Sequence, residues 1–126
     1  MAKILIIDDE KSLRETICEL LSYSGYDVRD AQDGMEGLEK VRQFIPDLIL
    51  CDIMMPILDG YGFMEKHNIS DYSNIPVIFL TARIEIKDQK KDVALGIKAY
   101  LKKPFIFKEL KSTIESELAN RSKSNR

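Results

Sequence analysis

The sequence is poor in the residues that soft-metal and redox chemistry needs: two cysteines and one histidine in 126 residues. Cys18 falls in a helical pattern and Cys51 inside an apolar run. Neither has metal-ligand or dithiol spacing, so both are expected to be small core residues of a reduced compartment. His67 stands near the end of a helical segment and is expected at the surface, without partners to tune it. No glycine-rich segment ends in Gly-Lys-Ser or Gly-Lys-Thr, which excludes nucleotide hydrolysis by a phosphate-binding loop. A basic stripe is missing too: 19 lysines and arginines are interspersed with 21 aspartates and glutamates for a net charge of -2, so direct nucleic-acid binding is not expected. The apolar run Ile4 to Ile7 meets Asp8-Asp9-Glu10 too soon for a signal peptide or membrane span, so a soluble cytoplasmic protein without membrane contact is expected. With no repeat or low-complexity segment, the length suits one domain.

What is present is a series of short apolar runs, each delivering polar side chains at its end. The most informative is Leu48-Ile49-Leu50-Cys51, which ends at Asp52 and is bounded by Pro46-Asp47 and Pro56. Without polar alternation, it reads as a strand buried on both faces. Lys3 to Ile7 ends in Asp8-Asp9 in the same way, and Pro76 to Leu80 delivers Thr81. Tyr26 to Ala31 reads as a weaker edge strand, and Ala99 to Leu101 as a last short strand before Lys102-Lys103-Pro104. Between these runs the apolar spacing is helical. Leu13, Ile17, Leu20 and Leu21 precede Gly25, while Asp33 can cap a helix whose stripe is Leu38, Val41, Phe44 and Ile45. Asp59 can cap a third helix carrying Phe63 and Met64. Glu85 to Leu95, ended by Gly96, has only a thin apolar face and a run from Lys87 to Asp92 that reads as solvated. Phe107, Leu110, Ile114 and Leu118 mark a fifth helix, and the polar stretch from Asn120 is expected to be disordered. The expected layout is thus one domain over residues 1–119, with 120–126 as a disordered polar tail or the start of a linker.

Alternating strands and helices predict an α/β fold with a parallel sheet covered on both faces, each crossover being right-handed. Strand order 2-1-3-4-5 is the common solution, with a ligand crevice where the order reverses, between the first and third strands. Those strands carry Asp8, Asp9 and Asp52, and the fourth and fifth deliver Thr81 and Lys103 to the same end. Three carboxylates so close must hold protons or recruit a cation, and a hard divalent ion such as magnesium suits a site with few protein oxygens. A lone ammonium and a hydroxyl beside it suggest a phosphoryl group, with one carboxylate as the nucleophile.

At these residues the chain resembles the receiver domain of two-component response regulators, with the flavodoxin-like fold. The matching features run in order: Asp8-Asp9, Asp52 followed by Met55-Pro56 and Asp59-Gly60, Thr81-Ala82, Gly96, Tyr100 and Lys103-Pro104-Phe105. The resemblance implies that Asp52 accepts a phosphoryl group from a phosphohistidine of a sensor histidine kinase or phosphotransfer protein. It implies that Asp9, Asp52 and the Met54 carbonyl ligate magnesium, with Asp8 reaching it through water or holding a ligand in place. Lys103 would pair with phosphate oxygens, and its peptide bond to Pro104 would be cis. Thr81 would bond the phosphoryl group, and Tyr100 would turn inward with it. The implied output is a population shift of the surface made by the fourth helix, fifth strand and fifth helix, read by a downstream protein target or a phosphorylation-dependent homodimer. Ile97-Lys98-Ala99 departs from the family's small and acidic residues there, and Met54 and Arg83 occupy variable positions that can shield or admit attacking water. Two other readings compete. A phosphatase of the haloacid dehalogenase type would need a second aspartate where Met54 stands, and a pseudo-receiver would not need the full set of Asp8, Asp9, Asp52, Thr81 and Lys103.

Overall fold

The computed structural model describes residues 1–82, 89–97 and 99–124. Five strands, β1 (Lys3–Ile7), β2 (Asp27–Ala31), β3 (Leu48–Asp52), β4 (Val77–Thr81) and β5 (Ala99–Lys102), form one parallel sheet in the order β2-β1-β3-β4-β5. They alternate with α1 (Lys11–Tyr23), α2 (Gly34–Phe44), α3 (Gly60–Asn68), α4 (Gln89–Leu95) and α5 (Phe107–Ser124). This is the doubly wound order expected from the alternation. The segment 83–88, which includes Arg83 and the expected start of the fourth helix, lies outside the described residues, as do Lys98 and 125–126.

The inner strands β1, β3 and β4 are apolar through their centres because both sheet faces are covered there, and alternate residues feed two separate cores. Leu5, Ile7, Ile49, Cys51 and Phe79 point to one side with Val41 of α2 and Phe63 and Met64 of α3, and Leu95 of α4 packs against them. Ile4, Ile6, Leu48, Leu50, Ile78 and Leu80 point to the other with Ile17 and Leu21 of α1 and Leu110 and Ile114 of α5. Cys51 is buried and Cys18 half-buried, and both are free thiols. Burial, then the Asp30 charge, pushes the Cys18 thiol up to about 11, so little of it is reactive thiolate.

The expected helix ends form as the local chemistry requires. Asp33 accepts a hydrogen bond from the Glu36 backbone N–H, and Asp59 accepts one from that of Gly62, each satisfying an otherwise unpaired donor of the first turn. Gly25 and Gly96, which follow α1 and α4, take positive φ values of 98° and 75°. Among the described residues no helix is long and apolar enough to cross a membrane.

Two expectations are corrected. The stretch from Asn120 is not a disordered tail, because α5 continues to Ser124. Residues 120–124 include no apolar side chain. Arg121 ties this end of the helix to the sheet: its Nη1 donates to the Asp47 backbone carbonyl at 2.6 Å, while Asp47 Oδ2 accepts from the Lys3 backbone N–H. His67 is not a surface residue either: it is 1% exposed, its ring stacked on Phe63 at 5.5 Å. Its Nε2 lies 2.9 Å from the Ile75 carbonyl oxygen, which only accepts, so Nε2 carries the proton. Nδ1 is buried with no hydrogen-bond partner among the described residues. Burial holds the ring below the usual histidine pKa, only partly offset by the bond to Ile75.

Candidate phosphoryl-acceptor and cation site

Parallel register brings five polar side chains to the carboxyl edge of the sheet. Ile7 pairs with Cys51, so Asp8 and Asp9 leave β1 beside Asp52 at the end of β3. Asp52 pairs in turn with Leu80, and Thr81 with Lys102, so Thr81 and Lys103 emerge next along the same edge. The Lys103 backbone N–H donates to the Thr81 carbonyl at 2.7 Å, which fixes where the lysine side chain departs. The Lys103–Pro104 peptide bond is cis.

Asp8, Asp9 and Asp52 each offer a carboxylate oxygen within 4.8 Å of the other two. Asp8 is fully buried, Asp52 is 7% exposed, and Asp9 is open to solvent. Lys103 reaches into this group: its Nζ lies 3.0 Å from Asp8 Oδ2 and 3.5 Å from Asp52 Oδ2. Asp8 does not cap α1. Its Oδ1 accepts from the Glu10 backbone N–H at 3.0 Å, and Glu10 is the N-cap residue without a side-chain bond. Both Asp8 oxygens are thus engaged, which leaves Asp9 and Asp52 as the carboxylates best able to take a new ligand.

The electrostatics follow from burial. Desolvation first, then the Asp8 charge, pushes the Asp52 carboxyl from 3.8 up to about 6, although Lys103 and the Met54 backbone N–H pull it down. For Lys103 burial works against the charged form, but bonding to Asp8 and the charges of Asp8 and Asp52 outweigh it and hold the ammonium above its usual pKa. Two shifts in the same direction on paired groups mark an excess of negative charge, since one ammonium cannot balance three carboxylates. A cation with several open coordination positions would.

The close approach of α3 depends on Gly60. Its N–H donates to the Ile53 carbonyl at 2.8 Å, and a side chain there would put Cβ 2.6 Å from the Asp52 carbonyl oxygen and 2.7 Å from Ile53 Cα. Any larger residue would displace the loop that carries Met54, so the Asp59-Gly60 pair serves as cap and contact at once. Met54 presents an exposed side chain just beyond Asp52. Tyr100 lies further back on β5, opposite Phe79, half-buried with its hydroxyl oxygen shielded from solvent. It is outside the carboxylate cluster.

Sequence reasoning missed Arg14, which reads as a solvated charge on α1. Its Nη1 donates to the Asp8 backbone carbonyl at 2.7 Å and its Nε to Asp30 Oδ2 at 2.8 Å. The available signal was its place one turn past Asp8-Asp9, on the helix side facing β2.

Comparison with known proteins agrees with this geometry. Residues 4–115 match the family model described as the response regulator receiver domain. A probable transcriptional regulator ycf27 of Porphyridium aerugineum is 42% identical over 123 residues, 98% of this chain and 50% of that protein. The response regulator MprA of a Mycobacterium species is 35% identical over 120 residues, 95% of this chain and 52% of that one. The chain thus spans about half the length of the curated relatives it matches. Among solved structures, the chemotaxis protein CheY4 of Vibrio cholerae superimposes with a TM-score of 0.86 at 32% identity, covering 92% of this chain and 98% of that one. A CheY-like receiver domain protein of Methanospirillum hungatei gives 0.90 at 27% identity, covering 98% of each. With the strand order, the converging edge residues and the matched span in agreement, the chain belongs to the response regulator receiver domain family, and it is a signalling module.

Proposed function

We propose that Asp52 of this receiver domain accepts a phosphoryl group from a phosphohistidine on a sensor histidine kinase or phosphotransfer protein. The observation that carries this reading is Lys103 Nζ held between Asp8 and Asp52 inside a cluster of three carboxylates. In the transfer, an Asp52 carboxylate oxygen forms the new bond to phosphorus. The phosphorus–nitrogen bond breaks, and its electron pair returns to the donor imidazole. Lys103 Nζ follows the incoming phosphoryl oxygens, and the Thr81 hydroxyl donates to one of them. A largely apolar cleft of about 310 Å³, lined by Leu13, Ala82, Pro104 and Phe105 with Glu10 and Lys103, offers the donor protein a landing surface.

The donor set suits magnesium: oxygen ligands, excess negative charge, and an exposed Asp9 that leaves room for waters. Asp9, Asp52 and the Met54 carbonyl would hold the ion, with Asp8 acting through water. Bound there, it would neutralise the carboxylate and phosphoryl oxygens that otherwise repel one another. Only its own phosphorylation and slow dephosphorylation would be catalysed by the chain, so it stores one group and does not turn over substrate.

The stored group would bias a switch. Thr81, drawn towards the phosphoryl oxygens, would favour the inward position of Tyr100, and the surface of α4, β5 and α5 would change its populations for a downstream protein, or for a second copy. The chain would work in the cytoplasm.

Intact-mass measurement with magnesium and acetyl phosphate tests the reading. One phosphoryl group is expected on the wild type, none without magnesium and none on Asp52→Asn. Undiminished labelling of that variant would remove Asp52 as the acceptor.

A further inference from the structure

The two carboxylates best placed to take a cation sit either side of the apolar edge, and only one belongs to a strand. Asp52 ends β3, whereas Asp9 follows β1 in the turn that leads to α1. An exposed turn residue can meet a ligand only if its backbone is held. The residue before it, Asp8, is held at its N–H, its side chain and its carbonyl. The Asp8 N–H donates to the Ala31 carbonyl at 3.1 Å, and the Asp8 side chain is tied to Glu10 and Lys103. The remaining group, the Asp8 carbonyl, belongs to the peptide unit whose N–H is that of Asp9. It accepts from Arg14 Nη1 at 2.7 Å.

We infer that Arg14 is a positioning residue for the cation site. It locks the Asp8–Asp9 peptide plane so that the Asp9 carboxylate faces Asp52, and Asp30 holds the guanidinium in place. This rests on the reading of the site as a magnesium site. The Arg14 side chain is 12% exposed and planar, with one edge on the Asp8 carbonyl and the other on the Asp30 carboxylate at 2.8 Å. A fork of that kind transmits orientation, which a single ammonium could not do from the same stem. The Asp30 contact has a second effect: a bare cation next to a cation site would oppose binding, and Asp30 neutralises it.

Charge and geometry therefore predict opposite signs. Removing a positive charge should tighten magnesium binding if electrostatics alone mattered. Loss of a bond that orients a ligand should weaken it, by about ten-fold or more where outer partners of ligands have been removed.

The test is magnesium titration of the full chain, without phosphodonor, followed through the backbone amide resonances of Asp8 to Glu10. For Arg14→Met the dissociation constant is expected to rise about ten-fold. Arg14→Lys keeps the charge and cannot reproduce both bonds, so it should also bind more weakly, and it serves if the methionine variant fails to fold. Because the hydrogen bonds of Arg14 run to the Asp8 carbonyl and to Asp30 and not to Asp52, Thr81 or Lys103, labelling by acetyl phosphate should return to the wild-type rate at saturating magnesium in both variants. Magnesium affinity equal to or tighter than wild type in the folded variants overturns the inference, as does a lower saturating rate at unchanged affinity. A wild type that binds no magnesium would overturn the site reading itself, which separates the two failures.

Discussion

Replacing Asp52 by Asn should stabilise the fold when divalent cations are absent. Burial and the neighbouring Asp8 raise the Asp52 carboxyl from 3.8 to about 6, against the pull of Lys103. Each ten-fold change in proton affinity is worth about 1.4 kcal/mol, so holding this group ionised in the native state at neutral pH costs roughly 3 kcal/mol relative to the unfolded chain. Solvent reaching part of the site screens some of that cost, and an amide leaves Lys103 with one anionic partner fewer. A net gain of about 1–2 kcal/mol remains, which in a chain of this size raises Tm by roughly 3–8 °C. The pH dependence gives the sharper check. Because the folded value is raised, the wild type has its full share of stability below the ordinary carboxyl range and loses it as pH rises through about 6. The advantage of the amide should therefore be present at neutral pH and vanish near pH ~4. Thermal unfolding by circular dichroism in chelator, at both pH values, measures it. A variant no more stable than wild type at neutral pH, or one whose advantage persists in acid, would refute the claim that the acceptor is stored under electrostatic load.

Two further substitutions probe the corrected regions. His67→Phe keeps the ring over Phe63 but leaves the Ile75 carbonyl unpaired, so urea unfolding near neutral pH should show a loss of about 1–2 kcal/mol. Since the folded His67 pKa is depressed, the stability it contributes is present above the unfolded value and lost as pH falls through the folded one. The penalty should shrink in acid, and one that grows would contradict a buried neutral imidazole. Arg121→Ala removes the bond to Asp47 at the far end of α5; amide hydrogen exchange in the last turn should quicken while global stability changes by less than about 1 kcal/mol. Unchanged exchange would mean that another contact holds the helix.

The strands were legible because a sheet covered on both faces demands unbroken apolar runs, and topology then placed Asp8, Asp9, Asp52, Thr81 and Lys103 at one edge before any contact was known. Asp33 and Asp59 were legible for a local reason, since a cap bonds within its own first turn. Failures came where partners are distant in sequence. Arg121 gains its role from Asp47, 74 residues away, and no periodicity within α5 hints at it. Arg14 reads as an ordinary surface charge until β2 brings Asp30 beside it. His67 is a different case. Gly60, Phe63, Met64 and His67 follow the spacing of a buried helical stripe, and all four are buried. The spacing was visible; the expectation that histidine prefers water overrode it.

The Lys103 to Asp8 contact joins residues 95 apart, nearly the two ends of the domain. Closing so long a loop carries no local reward, so the contact exists only once the intervening strands and helices have docked. The carboxylate edge of the sheet is in that sense a long-range feature, assembled from segments near both ends of the chain. A nascent chain still lacking β5 has its carboxylates but not its ammonium, and a misfolded one has neither in register. The arrangement of one ammonium among three carboxylates is thereby a property of the whole sheet and not of any one segment of the chain.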